Sequence, residues 1–177
     1  MSFKMKEETI VLGGGCFWCL DATYKLIKGI KKVEEGYSGG HVNNPTDEQI
    51  YSQSTGHAEV VKLTFDPKII ALKDILKIFY TLHDPTTKDR QGFDEGPQYR
   101  SVVFYQNDDQ LKEVKLAIRN AQKLWDDKIV TEVTKFNKFY PASEYHKDYE
   151  LNRPDYCQIV INPKLAKLRS SFSSYLK

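Results

Sequence analysis

TIVLGGGCFWCLDATYKLIKG, residues Thr9–Gly29, reads as a buried strand, a break and a helix. Thr9–Leu12 is a short apolar run that stops at three glycines. From Cys16 to Lys28, the residues Cys16, Cys19, Leu20, Thr23 and Ile27 fall at helical spacing on one face, and Gly29 supplies a stop. The joint itself is unusual. Glycine triplets are costly in backbone entropy, and a bulky pair such as Phe17–Trp18 beside one needs burial or a partner. The expectation is that a ligand approaches this backbone closely.

The rest of the chain continues the mixture of strands and helices. Val33–Tyr37 is a second strand running into the turn Ser38-Gly39-Gly40, and residues 41–57 are polar and loop-like. AEVVKLTF, Ala58–Phe65, is a strand closed by Asp66-Pro67. Leu72, Ile75, Leu76, Phe79 and His83 mark one face of a helix. A long loop from Asp84 to Gln98 leads to a strand over Tyr99–Tyr105. Asn107 and Asp108 cap a helix with an apolar stripe of Leu111, Val114, Ile118, Ala121 and Trp125. Glu132–Phe136 is a further strand candidate, and Cys157–Ile161 a short apolar run. Pro163 opens a last helix with Leu165, Leu168 and Phe172 inward. Several strands are joined by loops and not by helices. This pattern favours an α+β sandwich, helices on a mostly antiparallel sheet, over a doubly wound fold. No repeat or low-complexity segment divides the chain, so one domain over residues 1–177 is expected.

With 26 basic and 24 acidic residues alternating along the chain, the net charge is +2. There is no electrostatic case for nucleic acid or a membrane surface. No apolar run reaches the length of a membrane span, and the start MSFKMKEETIVL has no signal-peptide pattern. A cytoplasmic location is expected. Three cysteines in 177 residues do not make a secreted disulfide framework. In a reducing compartment they are small buried hydrophobes or chemistry.

Cys16 stands at the opening of its helix, where backbone N–H groups and the helix dipole favour a thiolate. Cys19 is its neighbour three positions on, which allows a Cys16–Cys19 disulfide, although it shares its face with Leu20 and Ile27 as a core residue would. In AEVVKLTF, strand parity puts Glu59 with Val61, Leu63 and Phe65 on the apolar side. A carboxyl buried there has a raised pKa and can donate a proton near neutrality, unless it pairs with a basic side chain. Tyr37 and Tyr99 sit at strand ends beside glycine-containing turns, where sites tend to lie, and Asp94 lies in the loop before the second of them. His57 and His146 have no metal-ligand spacing, so no metal is expected.

Taken in order, GGGCFWC, GYSGG, TGHAEVVKLTFDP, HDPTTKDRQGFDEGPQYRS and YHKDY followed by DYC resemble the A-type peptide methionine sulfoxide reductases, over roughly residues 9–161. The resemblance implies a ferredoxin-like α+β sandwich. It also implies reduction of the S-epimer of methionine sulfoxide, free or in peptides and proteins, without a metal or organic cofactor. Residue by residue, Cys16 matches the nucleophile, and Phe17 and Trp18 the aromatic pair that holds the S-methyl group. Glu59 matches the acid that protonates the sulfoxide oxygen. Tyr37 and Tyr99 match the hydroxyls that bind that oxygen, and Asp94 a supporting carboxylate. Cys157 stands where two-cysteine members carry the thiol that resolves the sulfenic acid, with Cys19 as the alternative resolving thiol. Thioredoxin or a similar dithiol protein is the implied reductant, and a monomer is expected. Cys19 departs from the family's common glycine, Asp89 from a common asparagine, and Phe93 from a commonly polar residue beside Asp94.

The chemistry of a sulfoxide fits the two residues singled out without the family. Its sulfur is a poor electrophile until the oxygen is protonated, so a nucleophilic thiol and a raised-pKa carboxyl must share one apolar pocket. Two other classes stay open. A general thiol–disulfide oxidoreductase would use Cys16 with Cys19, reduce insulin and have no need of Glu59. A non-enzymatic binder of methionine-containing peptides would use the aromatics and need neither cysteine.

Overall fold

The computed structural model describes residues 7–177. Its centre is β1 (Glu8–Gly13), fully buried from Ile10 to Leu12. It is flanked by β3 (Ala58–Phe65) on one side and β6 (Val102–Tyr105) on the other, both antiparallel. Outside β3 lie β2 (Ile30–Ser38) and then β8 (Phe139–Pro141), and outside β6 lies β7 (Glu132–Lys135). The six-stranded sheet has the order β7-β6-β1-β3-β2-β8. All its pairings are antiparallel except β6–β7, so the sheet is mixed. A second, two-stranded hairpin joins β4 (Arg90–Gln91) to β5 (Asp94–Glu95). Sheet and helices together make an α+β fold.

The alternation of β1 and β3 decides what lies on each face. Ile10, Leu12, Val61, Leu63 and Phe65 point into the larger core, where α1 (Phe17–Tyr24) and α3 (Leu72–Leu82) cover the sheet. Val11, Ala58, Val60, Val102 and Phe104 point the other way into a smaller cluster. Each aliphatic side chain taken fully out of water in this way contributes about 1.5–3 kcal/mol, so register and face are strongly specified. α4 (Asp108–Ala121) packs on α3 and is capped by the Asn107 side chain, which accepts the Gln110 N–H at 2.9 Å. α7 (Asn162–Ser171), with Pro163 in its first turn, closes over α1 and α3 and buries Leu168.

The elements differ from the sequence expectation in places that share a cause. The first helix ends at Tyr24 and not at Lys28; residues 25–29 turn instead, with Gly29 at φ +87°. Tyr99 does not open a strand but closes a short 3₁₀ turn, Pro97–Tyr99, and the strand starts at Val102. Residues 41–57 contain a short helix, α2 (Asp47–Tyr51), nucleated by a reciprocal Thr46–Gln49 capping box. The run Cys157–Ile161 is a π-helical turn between α6 (Pro154–Tyr156) and α7, preceded by α5 (Tyr149–Asn152). Each of these pieces is too short for its own periodicity to specify it, and tertiary packing decides.

Candidate active site

The glycines between β1 and α1 pack against the protein's own side chains. A Cβ on Gly14 would meet the His83 ring at 2.9 Å, and Gly15 has φ +84° with Gln91 Cγ 2.7 Å from where its Cβ would stand. The close approach expected of a ligand is therefore made by α3 and the β4–β5 hairpin, a correction to the expectation from sequence. The Gly15 N–H donates to the Tyr99 carbonyl at 3.1 Å and ties the loop to the 3₁₀ turn. Cys16 takes the N-cap position of α1 and lines a cleft that the same hairpin borders.

The cleft has a volume of about 470 Å³ and is lined by Cys16, Cys19, Phe93, Asp94, Tyr156 and Lys164, among others. Asp94 Oδ2 accepts the Tyr156 hydroxyl at 2.8 Å. The Tyr156 oxygen lies 3.9 Å from Cys19 Sγ, so thiol, phenol and carboxylate form a chain along one wall. Cys19 is buried, as its apolar face predicts, yet its sulfur reaches this wall and is not confined to the core. Phe93 is 93% exposed at the hairpin tip, on the rim. Phe17 and Trp18 are buried despite following three glycines. Trp18 stacks on Tyr149 at 5.5 Å between ring centroids and meets Tyr156 edge-on at 5.6 Å.

Glu59 enters from the start of β3 on the helix side of the sheet, where parity places it. Its Oε1 accepts the Phe17 backbone N–H at 3.2 Å. Burial raises its pKa to about 8, with Asp94 adding to the rise and the Phe17 N–H opposing it. Near neutral pH the carboxyl is protonated.

Cys16 differs from expectation. A position opening a helix predicts a lowered thiol pKa, but burial pushes it well above the usual value, and the carboxyls of Glu59 and Asp94 and the Cys19 thiol push the same way. The first free N–H of α1 is directed at Glu59 and not at sulfur, and only the Trp18 N–H helps a thiolate. The resting site is therefore a neutral thiol beside a neutral acid.

The tyrosines divide. Tyr37 is buried and faces Glu59 across the β2–β3 ladder, but its hydroxyl donates its proton to Asp47 Oδ1 at 2.7 Å. Tyr99 is held neutral by burial first and then by the nearby Glu59, Cys16 and Asp94. Tyr51, inside a stretch that the sequence presents as polar loop, has the same pattern, with burial followed by Glu59, Asp47 and Cys16. Its signal is the Thr46–Gln49 capping box, since a helix there carries its last residue back toward the site.

Cys157 does not line the cleft. It follows Tyr156 directly, and its Sγ faces the Tyr149 carbonyl at 3.9 Å. All three cysteines are free thiols. Among the described residues no group of three or more His, Cys, Asp or Glu side chains is placed to hold a metal, and no helix is long and apolar enough to cross a membrane. His57 and His83 are structural: His57 accepts the Gly40 N–H at 2.9 Å, and His83, its pKa lowered by burial to about 3, bonds Ser101 at 2.8 Å.

A family model described as peptide methionine sulfoxide reductase matches residues 8–176. The chain is 50% identical over 171 residues to the peptide methionine sulfoxide reductase MsrA of Paenarthrobacter aurescens (strain TC1), covering 96% of this chain and 98% of that one. Among solved structures, reduced Mxr1 from Saccharomyces cerevisiae matches with a TM-score of 0.79 at 34% identity, over 84% of this chain and 87% of that one. The same yeast protein in complex with Trx2 matches with a TM-score of 0.60 at 27% identity, over 82% and 87%. With a thiol at the cleft, a protonated acid and a buried aromatic pair beside it at the start of α1, and relatives that align over nearly its whole length, the chain belongs to the peptide methionine sulfoxide reductase family.

Proposed function

We propose that this cleft reduces the S-epimer of methionine sulfoxide, free or in peptides and proteins, by thiol chemistry alone, in one catalytic domain spanning residues 1–177. The observation that carries the reading is Glu59, a buried carboxyl still protonated near neutrality, beside Cys16. The sulfoxide's methyl group rests on Phe17 and Trp18, and its oxygen faces Glu59. Tyr99 and Tyr51 supply the hydroxyls for that oxygen, because Tyr37 donates to Asp47 and supports the site from behind. Asp94 orients Tyr156. Cys16 Sγ attacks the sulfoxide sulfur as Glu59 delivers its proton to oxygen, and the thiol's proton replaces it on the carboxyl. The oxygen passes to Cys16 as a sulfenic acid and methionine departs, so no net proton is consumed. A second thiol then displaces that oxygen as water, forming a disulfide, and an external dithiol reduces the disulfide while becoming one itself. The yeast neighbour's complex with Trx2 supports a thioredoxin-like donor.

The strand order β6-β1-β3-β2, all antiparallel, with α1 and α3 on one face, supports a ferredoxin-like core. A cytoplasmic setting suits a chain whose three cysteines are all thiols. The reading is tested with separated S and R epimers of a methionine sulfoxide substrate and dithiothreitol. Turnover of the S-epimer alone is expected; reduction of insulin with neither epimer turned over would favour a general disulfide reductase.

Cys157 is proposed as the resolving thiol, with Cys19 as the alternative that the cleft geometry keeps in play. For Cys157 to reach Cys16, Tyr156 must leave its bond to Asp94 and the π-helical turn must unwind. Cys19 is already at the cleft but is held in the first turn of α1. Peptide mapping after one equivalent of sulfoxide without reductant is expected to give a Cys16–Cys157 crosslink. Cys157→Ser should then accumulate the sulfenic acid and lose thioredoxin-supported turnover. A Cys16–Cys19 crosslink with normal turnover in Cys157→Ser would transfer the role to Cys19.

A further inference from the structure

The tip of the β4–β5 hairpin carries a side chain that neither the fold nor the reaction above accounts for. Gln91 pairs with Asp94, so Gly92 and Phe93 form a two-residue turn, and Gly92 supplies its positive φ of +58°. The second position of such a turn is ordinarily a small polar residue. Here it is a phenylalanine, almost fully exposed. The tip is nonetheless pinned. The Gln91 side-chain amide donates to the Asp84 carbonyl and accepts the Asp84 N–H, each at 2.9 Å. The Arg90 Nε–H donates to the Gly92 carbonyl at 2.9 Å, and Asp94 takes the Tyr156 hydroxyl.

Phe93 does not stand alone. Ile159, 67% exposed in the π-helical turn, lines the same cleft, and Val160 and Pro163 continue that wall. Single exposed apolar side chains are ordinary, but an apolar rim around a cleft that holds a reactive thiol marks a contact surface. The charges on these walls cancel. Arg153 pairs with Asp155 at 3.1 Å, and Asp94 and Lys164 carry opposite signs. The cleft therefore selects by apolar area and not by charge. The hairpin also sets the reach. Gln91 packs on Gly15, next to Cys16, and Phe93 stands two residues further out, at most about 7 Å along the chain. An extended peptide covers that span in about two residues.

We propose that Phe93, with Ile159 on the same rim, is a specificity-determining residue: it holds an apolar side chain one or two positions from the methionine sulfoxide of a peptide or unfolded segment, so that oxidised methionines with such a neighbour are preferred. The occupant is the polypeptide of the substrate because Cys16 is part of the cleft, and a chain that presents its sulfoxide to this thiol runs past the rim. The proposal rests on the reading of Cys16 as the nucleophile of a methionine sulfoxide reductase. Ile159 belongs to the turn that carries Cys157, whereas Phe93 sits on the pinned hairpin, so the larger share of the contact is assigned to Phe93. An anchor already fixed before binding loses little freedom when it is covered.

The test uses the full chain, dithiothreitol and blocked peptides that carry S-methionine sulfoxide among glycines, with one phenylalanine placed one or two positions to either side. At one of these positions or more, the phenylalanine is expected to raise kcat/KM about tenfold over the all-glycine peptide, chiefly through KM. In Phe93→Ser this ratio should fall to within about twofold of unity. Phe93→Tyr should restore it to within about twofold of wild type, and Ile159→Ser should give an intermediate value. Because Phe93 is almost fully exposed, neither change there threatens the fold. An apolar preference should also survive a rise from about 0.05 to about 0.5 M salt undiminished. A wild type without preference, a ratio unchanged in Phe93→Ser, or a preference that salt abolishes overturns the proposal and leaves the reductase reading standing. If Phe93→Ser keeps the peptide ratio but raises the KM for thioredoxin in a thioredoxin-driven assay, the rim serves the reductant and the proposal is overturned. If no S-epimer peptide is turned over, the reductase reading falls, and the proposal falls with it.

Discussion

Cys16→Ser should reduce methionine release to background while leaving the fold intact. The serine hydroxyl fits the space of the thiol at the N-cap position of α1, where no side-chain capping bond exists to be lost. What it lacks is nucleophilicity. An alcohol buried beside Glu59 and Asp94 has no base to activate it, since the same surroundings that raise the Cys16 pKa disfavour an alkoxide far more. The elevated thiol pKa adds a second expected result. In the free enzyme Cys16 should alkylate slowly at neutral pH, with the rate climbing through the alkaline range, because burial and neighbouring acids keep it protonated. Activation then belongs to the complex, where the thiol's proton is handed on as Glu59 gives up its own. Single-turnover methionine release that survives Cys16→Ser would remove this residue from the nucleophile's role, and fast alkylation below pH 7 would restore the thiolate picture.

What the sequence could and could not reveal follows from the range of each interaction. Parity along AEVVKLTF is a local property, and it places Glu59 on the helix side of the sheet because the ladder to β1 fixes the face. The position of Cys16 between a strand and a helix is equally local. The acidity of Cys16 is not. It depends first on burial, then on Glu59 and Asp94, remote in sequence, and on an N–H that the helix spends on a different residue, so the helix-terminus argument predicts the wrong direction.

Two further differences have the same origin. The glycines signal close approach, but pattern alone does not say by what, and the answer, His83 and Gln91, comes from α3 and the β4–β5 hairpin. The partner of the Tyr37 hydroxyl is not legible in the sequence: Thr46 and Gln49 nucleate α2, Asp47 accepts that hydroxyl, and Tyr51 is carried toward Glu59. Strand β8 leaves no trace in the sequence pattern because three residues, Phe139–Pro141, pair with β2 through a register that no alternation of that length can encode.

Glu59→Gln should slow the reductase step by about 10²-fold or more, the usual scale for loss of a general acid. Glutamine keeps the shape, and its carbonyl oxygen can still accept the Phe17 N–H, so the loop at Cys16 stays in place. A neutral amide has no proton to deliver, and the thiol's proton loses its acceptor in the same change. In the wild type the single-turnover rate should fall as pH rises past about 8, where Glu59 ionises, and the glutamine variant should lack that limb. On stability the substitution should act in the opposite sense, as a gain at high pH. With a folded pKa raised to about 8 from 4.5, the native state binds more protons than the unfolded chain between those values. Native stability is therefore full at acidic pH and declines as pH climbs through that window, because a bare carboxylate must be tolerated in an apolar pocket. Glutamine removes the decline. The variant should match the wild type near pH 4 and exceed it at pH 9 by something on the order of a few kcal/mol, since raising a pKa by one corresponds to about 1.4 kcal/mol. Denaturant titrations at those two pH values, beside single-turnover rates across pH 5–9, separate the outcomes. An unchanged rate would end the general-acid assignment, whereas a lost rate without a gain in stability at high pH would mean that Glu59 is ionised at rest and that another group supplies the proton.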